Sequence, residues 1–300
     1  MKQNWLVTGG KAEIKNDSFK YIPQLVKNKF GQEENVPAFL KSNIDFENGE
    51  ISFTVSVKEQ LAICQIILGS ETGNNINIGI NASGSLFGIQ RFDYGLNKWD
   101  VLAGSGSMEN LDLKNEYCLR IIANGSSISL YANDINVGNA ISQLKRSQIQ
   151  FVMISSEEIE VKNFKVNKEK PKAFVVMQFS NEYDDLFNEV IKPACEEFGL
   201  ECERADDYFT TNVIIQDIIQ SILSASVIIA EITPNNPNVF YEVGYSHALN
   251  KPTILLCDRQ RDRLPFDLSS FRTLFYENSI SGKGRVEHKL RKYLENIFVH

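Results

Sequence analysis

The sequence predicts two domains: an all-β antiparallel sandwich over residues 1–166, a linker over 167–171, and a doubly wound α/β domain with a five-stranded parallel sheet over 172–300. Three observations carry this. Up to Val166, short apolar runs recur at roughly ten-residue spacing, separated by clusters of Gly, Asn and Ser. At NFKVNKEKPK the chain turns charged and ends in Pro, as linkers do. From Lys172, continuous apolar runs alternate with stripes of helical period, the grammar of buried parallel strands and crossover helices.

In the first half, GEISFTVSV (Gly49–Val57) alternates apolar and polar with period two. Strands follow at LAICQIILGS, INIGIN, SLFGIQRF, YCLRIIANGSSISLYAN, IQFVMIS and IEVKNFKV. GSETGNN, NASGS, NGSS and NDINVGN read as turns, and ANGSSISLYAN as a hairpin turned at Asn124-Gly125. IDFENGE also reads as a turn. The one candidate helix in this half is YIPQLVKN (Tyr21–Asn28).

In the second half, AFVVM is strand one, and Ser180 is placed to cap the helix after it. Tyr183, Leu186, Phe187, Val190, Ile191, Ala194 and Phe198 form that helix's stripe, and Gly199 ends it. LECER is strand two. TNVIIQDIIQSILSAS is helix two, with Val213, Ile214, Ile218, Ile222 and Ala225 on one face. SVIIAE is strand three, and PNVFYEVGYSHALN is helix three, with Pro237 in its first turn. PTILLC is strand four, FRTLFY strand five, and GRVEHKLRKYLENIF the last helix. Right-handed crossovers give strand order 2-1-3-4-5.

Composition narrows the function. A chain 43% hydrophobic and 23% charged is globular, and a net charge of -7 argues against a nucleic-acid partner, which needs a basic face. The N-terminus MKQNWLVTGG has no apolar signal region, and no run of about 18 apolar residues exists, so no membrane partner is expected. The five cysteines form no C-x-x-C or Cys/His cluster, and only three His are present. Reduced thiols in a cytoplasmic protein, with no metal site, are expected.

In an open parallel sheet, ligands sit at the carboxyl ends of the strands, near the switch in strand order. Here the switch falls between strands one and three. It brings MQFSNEY, RADDYFT and EITPNNPN to one edge. Glu242 lies about one turn inside helix three, among Phe240, Tyr241, Val243 and Tyr245, with Gly244 allowing close approach. A solvated or salt-bridged face residue is the plain reading. The other is a partly desolvated carboxylate, kept ionised by the helix dipole and suited to attack or stabilise a cationic sugar carbon.

Both halves carry a resemblance. Trp99 after RFDYGLNK, the YCLRIIANGSSISLYAN hairpin and the closing strand IEVKNFKV resemble a concanavalin-like or laminin-G-like jelly roll. That likeness implies glycan binding or an interaction module, with Trp99 either a sugar platform or a core or rim aromatic. The acidic strand spacing of the glycosidases of this type is absent. VVMQFSNEYDDLFNEVIKPACEEFGLECERADD, followed by SASVIIAEITPNNPNVFYEVGYSHALNKPTILL, is similar to the nucleoside 2-deoxyribosyltransferase-like superfamily, akin to TIR domains that cleave NAD. The resemblance implies a flavodoxin-like sheet and a catalytic Glu242 acting on the anomeric carbon of an N-glycosidic bond. It also implies an acid at Glu231, where the family often has Asp, and a polar loop residue at Asn236 or Asn238.

On that reading Met177, Gln178 and Phe179 contact base or ribose, with Tyr241 beside them. The backbone amides after Phe179 suit a phosphate. Asp206 is a substrate-binding candidate, its plain role and that of Asp207 being turn or cap chemistry. Asn238 orients Glu242 or a ribose hydroxyl. Arg272 meets a phosphate or forms a structural ion pair. His247 is a packing residue or a catalytic one, and DRQRDR a solvated surface.

Three functions stay open from the sequence. One is NAD N-glycosidic cleavage, with NAD as substrate and no cofactor, in a chain resembling two-domain antiphage effectors. Its sandwich would bind an unidentified ligand or activator, and it would work as a homo-oligomer. Another is nucleoside 2-deoxyribosyl transfer or hydrolysis. The last is a non-enzymatic nucleotide-binding assembly protein.

Overall fold

The computed structural model describes residues 4–69, 75–205, 214–261 and 263–298. They form two compact units, Met1–Ala123 with Ser127–Glu169, and Asn124–Ser126 with Lys170–His300.

The first unit is an all-β jelly-roll sandwich. Its strands are β1 (Trp5–Gly9), β2 (Ala12–Lys15), β3 (Ser18–Tyr21), β4 (Leu25–Lys27), β5 (Glu33–Asn35), β6 (Ala38–Phe46), β7 (Gly49–Val57) and β8 (Ile63–Leu68). They continue with β9 (Ile76–Ala82), β10 (Ser85–Asp93), β11 (Lys98–Ser107), β12 (Tyr117–Asn124), β13 (Ser127–Ala132), β14 (Ile135–Ile141), β15 (Ser147–Ile154) and β16 (Ile159–Lys168). One seven-stranded sheet runs β1-β6-β15-β8-β9-β10-β11, the other β14-β13-β12-β7-β16-β3-β2. Strand β7 shows why they stack: Ile51, Phe53, Val55 and Val57 all point inward and are fully buried, while the residues between them are not. At the centre Trp5, Phe19, Phe53, Phe151 and Phe164 meet ring to ring, the closest pair at 4.6 Å. Each such buried ring contributes about 2–3 kcal/mol of transfer free energy.

The structure departs from the sequence reading at several places here. IDFENGE is no turn as a whole: Ile44, Asp45 and Phe46 end β6 and Gly49 and Glu50 open β7, leaving only Glu47 and Asn48 between the strands. YIPQLVKN is no helix: Tyr21 ends β3 with its hydroxyl donating to Val36 O and Ser155 O, Pro23 follows, and Leu25–Lys27 is strand. NDINVGN is only half a turn. Asn133 and Asp134 are left-handed (φ 48° and 64°), and Ile135–Ile141 is strand β14. The β12–β13 loop is Gly125-Ser126, one position later than read, with Gly125 at φ 60°. Strand β16 runs two residues into the expected linker, because Asn167 and Lys168 pair with Glu50 and Gly49 of β7.

The second unit is a doubly wound α/β domain. Its elements are β17 (Lys172–Val176), α1 (Asn181–Leu186), α2 (Lys192–Glu197), β18 (Glu201–Arg204), α3 (Ile214–Ser224), β19 (Val227–Glu231), α4 (Pro237–Ala248), β20 (Thr253–Asp258), β21 (Thr273–Tyr276) and α5 (Ile280–Phe298). The sheet order is β18-β17-β19-β20-β21, all parallel, which is the 2-1-3-4-5 arrangement expected. One face packs Val175, Ile229 and Leu256 against the segment of α1 and α2 and against α5. The other packs Phe174, Ile228 and Leu255 against α3 and α4.

The first helix is interrupted. A π-helical turn, Phe187–Ile191, joins α1 to α2, just before Pro193, which has no N–H for the regular ladder. Ser180 stands at the N-cap position of α1, but its buried hydroxyl makes no capping bond. No helix among the described residues is long and apolar enough to cross a membrane.

Candidate functional site

A cleft of about 370 Å³ opens at the carboxyl edge of the second unit, on the α3/α4 side of the switch between β17 and β19. The chain leaving β17 supplies Met177, Gln178 and Phe179. The loop after β19 and the first turns of α4 supply Asn236, Asn238, Tyr241 and Glu242. Ile215 and Ile218 of α3 close the apolar side. Phe179 and Tyr241 are more than half exposed, so two aromatic faces flank the opening.

Helix α4 begins here for a local reason. The Asn236 side-chain oxygen accepts the Asn238 N–H at 3.0 Å, and Pro237 supplies a first helical residue that needs no donor. Glu242 then falls one turn in, facing the cleft. Burial pushes its carboxyl up to about 7. The sequence reading, an ionised carboxylate favoured by the helix dipole, is thereby corrected: desolvation dominates, and near neutral pH the group is divided between acid and carboxylate. No Lys or Arg lines the cleft among the described residues.

Six of the nine site candidates therefore share one cleft: Met177, Gln178, Phe179, Asn238, Tyr241 and Glu242. Glu231 does not join them. It ends β19 fully buried, with one carboxylate oxygen accepting the Thr233 N–H at 2.7 Å and the other without a hydrogen-bond partner. Burial raises it too, to about 7. Its place as the last residue of a central strand draws it under the surface. Arg272 is exposed in the segment before β21 and lines no part of the cleft. Asp206, with Asp207, lies outside the described residues. His247 stacks on Phe271 with ring centroids 4.0 Å apart, and burial lowers its pKa.

Arg204 was missed. It ends β18 almost buried and pairs with Asp184 at 2.9 Å. Its guanidinium lies over the rings of Phe187 and Phe179, at 4.6 and 5.6 Å. It thus fixes the aromatic at the mouth of the cleft. The signal was an Arg closing the short strand ECER, where a buried strand end has no reason to carry a charge unless it is paired.

The sandwich has a cleft of its own, about 420 Å³, on the outer face of the β1–β11 sheet. Its floor is a buried amide network. Gln65 Nε2 donates to the backbone oxygen of Asn81 at 2.7 Å, so its Oε1 accepts from Asn77 and Gln90, both at 3.1 Å. Gln90 in turn accepts the Ser83 hydroxyl at 2.6 Å. Two acceptors of the lining are left over: Asn77 Oδ1 and Asn75 Oδ1 are buried without a partner. Trp99, 41% exposed, stands at the rim with its edge against Phe92. No charged side chain lines this cleft among the described residues.

No protein-family model matches the chain, and no curated protein sequence matches it. Among solved structures, the carbohydrate binding module CBM66 from Bacillus subtilis is 15% identical, covering 55% of this chain and 95% of that one with a TM-score of 0.43. A Bacillus subtilis protein of unknown function with a galectin-like fold is 14% identical, covering 55% and 89% with a TM-score of 0.40. LamAcat from Zobellia galactanivorans is 9% identical, covering 52% and 80% with a TM-score of 0.38. Likeness this distant leaves function to be argued from the residues.

Proposed function

We propose that the second unit cleaves the N-glycosidic bond of NAD or a related nucleotide, with Glu242 as the catalytic carboxylate. The observation that carries this is a half-buried Glu242, raised to about 7, facing an aromatic-flanked cleft with no cation to neutralise it among the described residues. A carboxylate without a fixed partner is free to serve a cationic sugar carbon. The ribose C1′–N bond breaks, and its electron pair passes to the pyridinium nitrogen, which becomes neutral. Nicotinamide then departs without needing a proton, so no general acid is required. The ionised Glu242 either stabilises the oxocarbenium or bonds to C1′. Water then attacks C1′, releasing the carboxylate and giving its proton to solvent. The likeness to TIR-like and deoxyribosyltransferase-like domains, carried by PNVFYEVGYSHAL, supports the same reading. A cytoplasmic antiphage effector working as a homo-oligomer is the setting proposed.

Incubating the full chain with NAD and separating the products by chromatography tests it; free nicotinamide is expected. Base exchange between two deoxynucleosides, with NAD left intact, would instead identify a 2-deoxyribosyltransferase. Binding of NAD without turnover of either substrate would identify an assembly protein.

For the sandwich we propose that its cleft takes an uncharged, hydroxyl-bearing ligand that regulates the second unit. The unpaired Asn77 acceptor asks for a donor, the lining carries no charge, and Trp99 offers an apolar face. Thermal shifts of the full chain with neutral and with anionic sugars test this; stabilisation by the anionic set alone contradicts it.

A further inference from the structure

The loop that carries Asn236 is pinned. Arg261 donates to the backbone oxygens of Ile232 and Thr233 and to the side-chain oxygen of Asn235. At its end, the Asn236 oxygen that accepts the Asn238 N–H is fixed as Oδ1, because a backbone N–H can only donate. The other end of that amide is therefore NH₂, and it donates to Gln178 Oε1 at 3.4 Å. This turns Gln178 in its own right. Its oxygen is engaged, and its Nε2 hydrogens remain, with no acceptor among the described residues. Gln178 lines the same cleft as Glu242.

We propose that Gln178 is a specificity residue that offers the ligand donors only, and that Asn236 is the positioning residue that holds it so. The cleft then selects leaving groups that present a carbonyl oxygen at this edge over those that present an amino group. A donor set against a donor in a partly desolvated cleft leaves both unpaired, which costs about tenfold or more in affinity. The inference rests on the N-glycosidic reading of the cleft and names the chemistry of its leaving group.

The test is titration calorimetry of the full chain with two NAD analogues. One carries acetylpyridine, an acceptor without a donor, in place of nicotinamide. The other carries aminopyridine, which donates. The wild type is expected to bind the acetyl analogue about tenfold or more tightly. Asn236→Asp keeps the helix cap, since Asp caps as well as Asn. It can only accept, so it takes the Gln178 NH₂ and turns Gln178 Oε1 to the cleft, and the preference is expected to reverse. Gln178→Glu reaches the same reversal without touching the cap. Asn236→Ser keeps a cap but is too short to reach Gln178, and is expected to bring the two affinities together. A wild type that binds the analogues equally, or binds neither, overturns the proposal. So does a preference kept unchanged in Asn236→Asp and Gln178→Glu. Every titration is made with Glu242→Gln also present, so that binding is read without turnover, and the N-glycosidic reading is decided separately by NAD cleavage with Glu242 intact.

Discussion

The two clefts handle buried polarity in opposite ways. In the sandwich, Gln65, Asn77, Gln90 and Ser83 bond one another, and two acceptors of the lining, on Asn75 and Asn77, are left over. In the α/β unit, Glu231 and Glu242 are both withdrawn from water with no cation against them among the described residues, and both are raised to about 7. A neutral network that is bonded within itself holds its shape, and its leftover acceptors read a ligand. A carboxyl withdrawn from water without a countercharge is held away from its ionised state, which is a condition for chemistry at Glu242.

The largest expected effect lies at Glu231. Its native value lies above the unfolded one, so the native state holds more protons between about pH 4.5 and 7, and stability falls as pH rises through that window. Glu231→Gln removes the group. It is expected to stabilise the second unit by about 3 kcal/mol near pH 8 and by little near pH 4, read from denaturant melts. Destabilisation of equal size at both pH values would show that the carboxylate is a satisfied structural group.

Turnover should follow the ionised fraction of Glu242. The rate is expected to fall about tenfold for each unit below pH 7 and to level off above about pH 8. A flat profile between pH 5 and 8, in a preparation shown to stay folded, removes the titrating carboxylate from the mechanism.

The sandwich network can be broken from its centre. Gln65→Leu leaves the Asn77 and Gln90 amides without their shared acceptor and is expected to cost about 2 kcal/mol in the first unit's melt. A neutral substitution would mean that water replaces the lost acceptor. The smallest effect is expected at Trp99, half-exposed on the edge strand β11. Trp99→Ala should change stability by less than about 1 kcal/mol, while weakening any neutral ligand of the cleft about tenfold. Equal binding by the variant would make Trp99 a rim residue and nothing more.

The same contrast runs through what the sequence disclosed. The α/β unit was legible because AFVVM, SVIIAE and PTILLC are buried on both faces and read as unbroken apolar runs, and because sheet order fixes which loops share an edge. The first 48 residues were not. Strands EEN and LVK are three residues long and largely exposed, so no apolar alternation marks them, and AEIK alternates over only four residues. KWDVLAGSGS, an edge strand with its glycines and serines, looks like loop. In the site, topology brought the residues after β17 and the start of α4 to one edge, and the resemblance singled out Glu242, Met177, Gln178 and Phe179 there. Arg204 over Phe179, and the Asn236–Gln178 amide pair, depend on contacts between elements, which no spacing in the chain records. Glu231 was misplaced for the converse reason: the end of a central strand lies at the right edge, but its side chain is buried toward the other face of the sheet, beside Thr233 and Tyr276.

The most direct measurement is the time course of NAD cleavage by purified wild type and Glu242→Gln near pH 8, with matched melts to show that both are folded. Gln keeps the size of the side chain and removes the charge. A loss of about a thousandfold or more, with stability unchanged or raised, is expected of a carboxylate that meets the ribosyl cation. Undiminished cleavage by Glu242→Gln would contradict a catalytic Glu242 and move the chemistry elsewhere in the molecule.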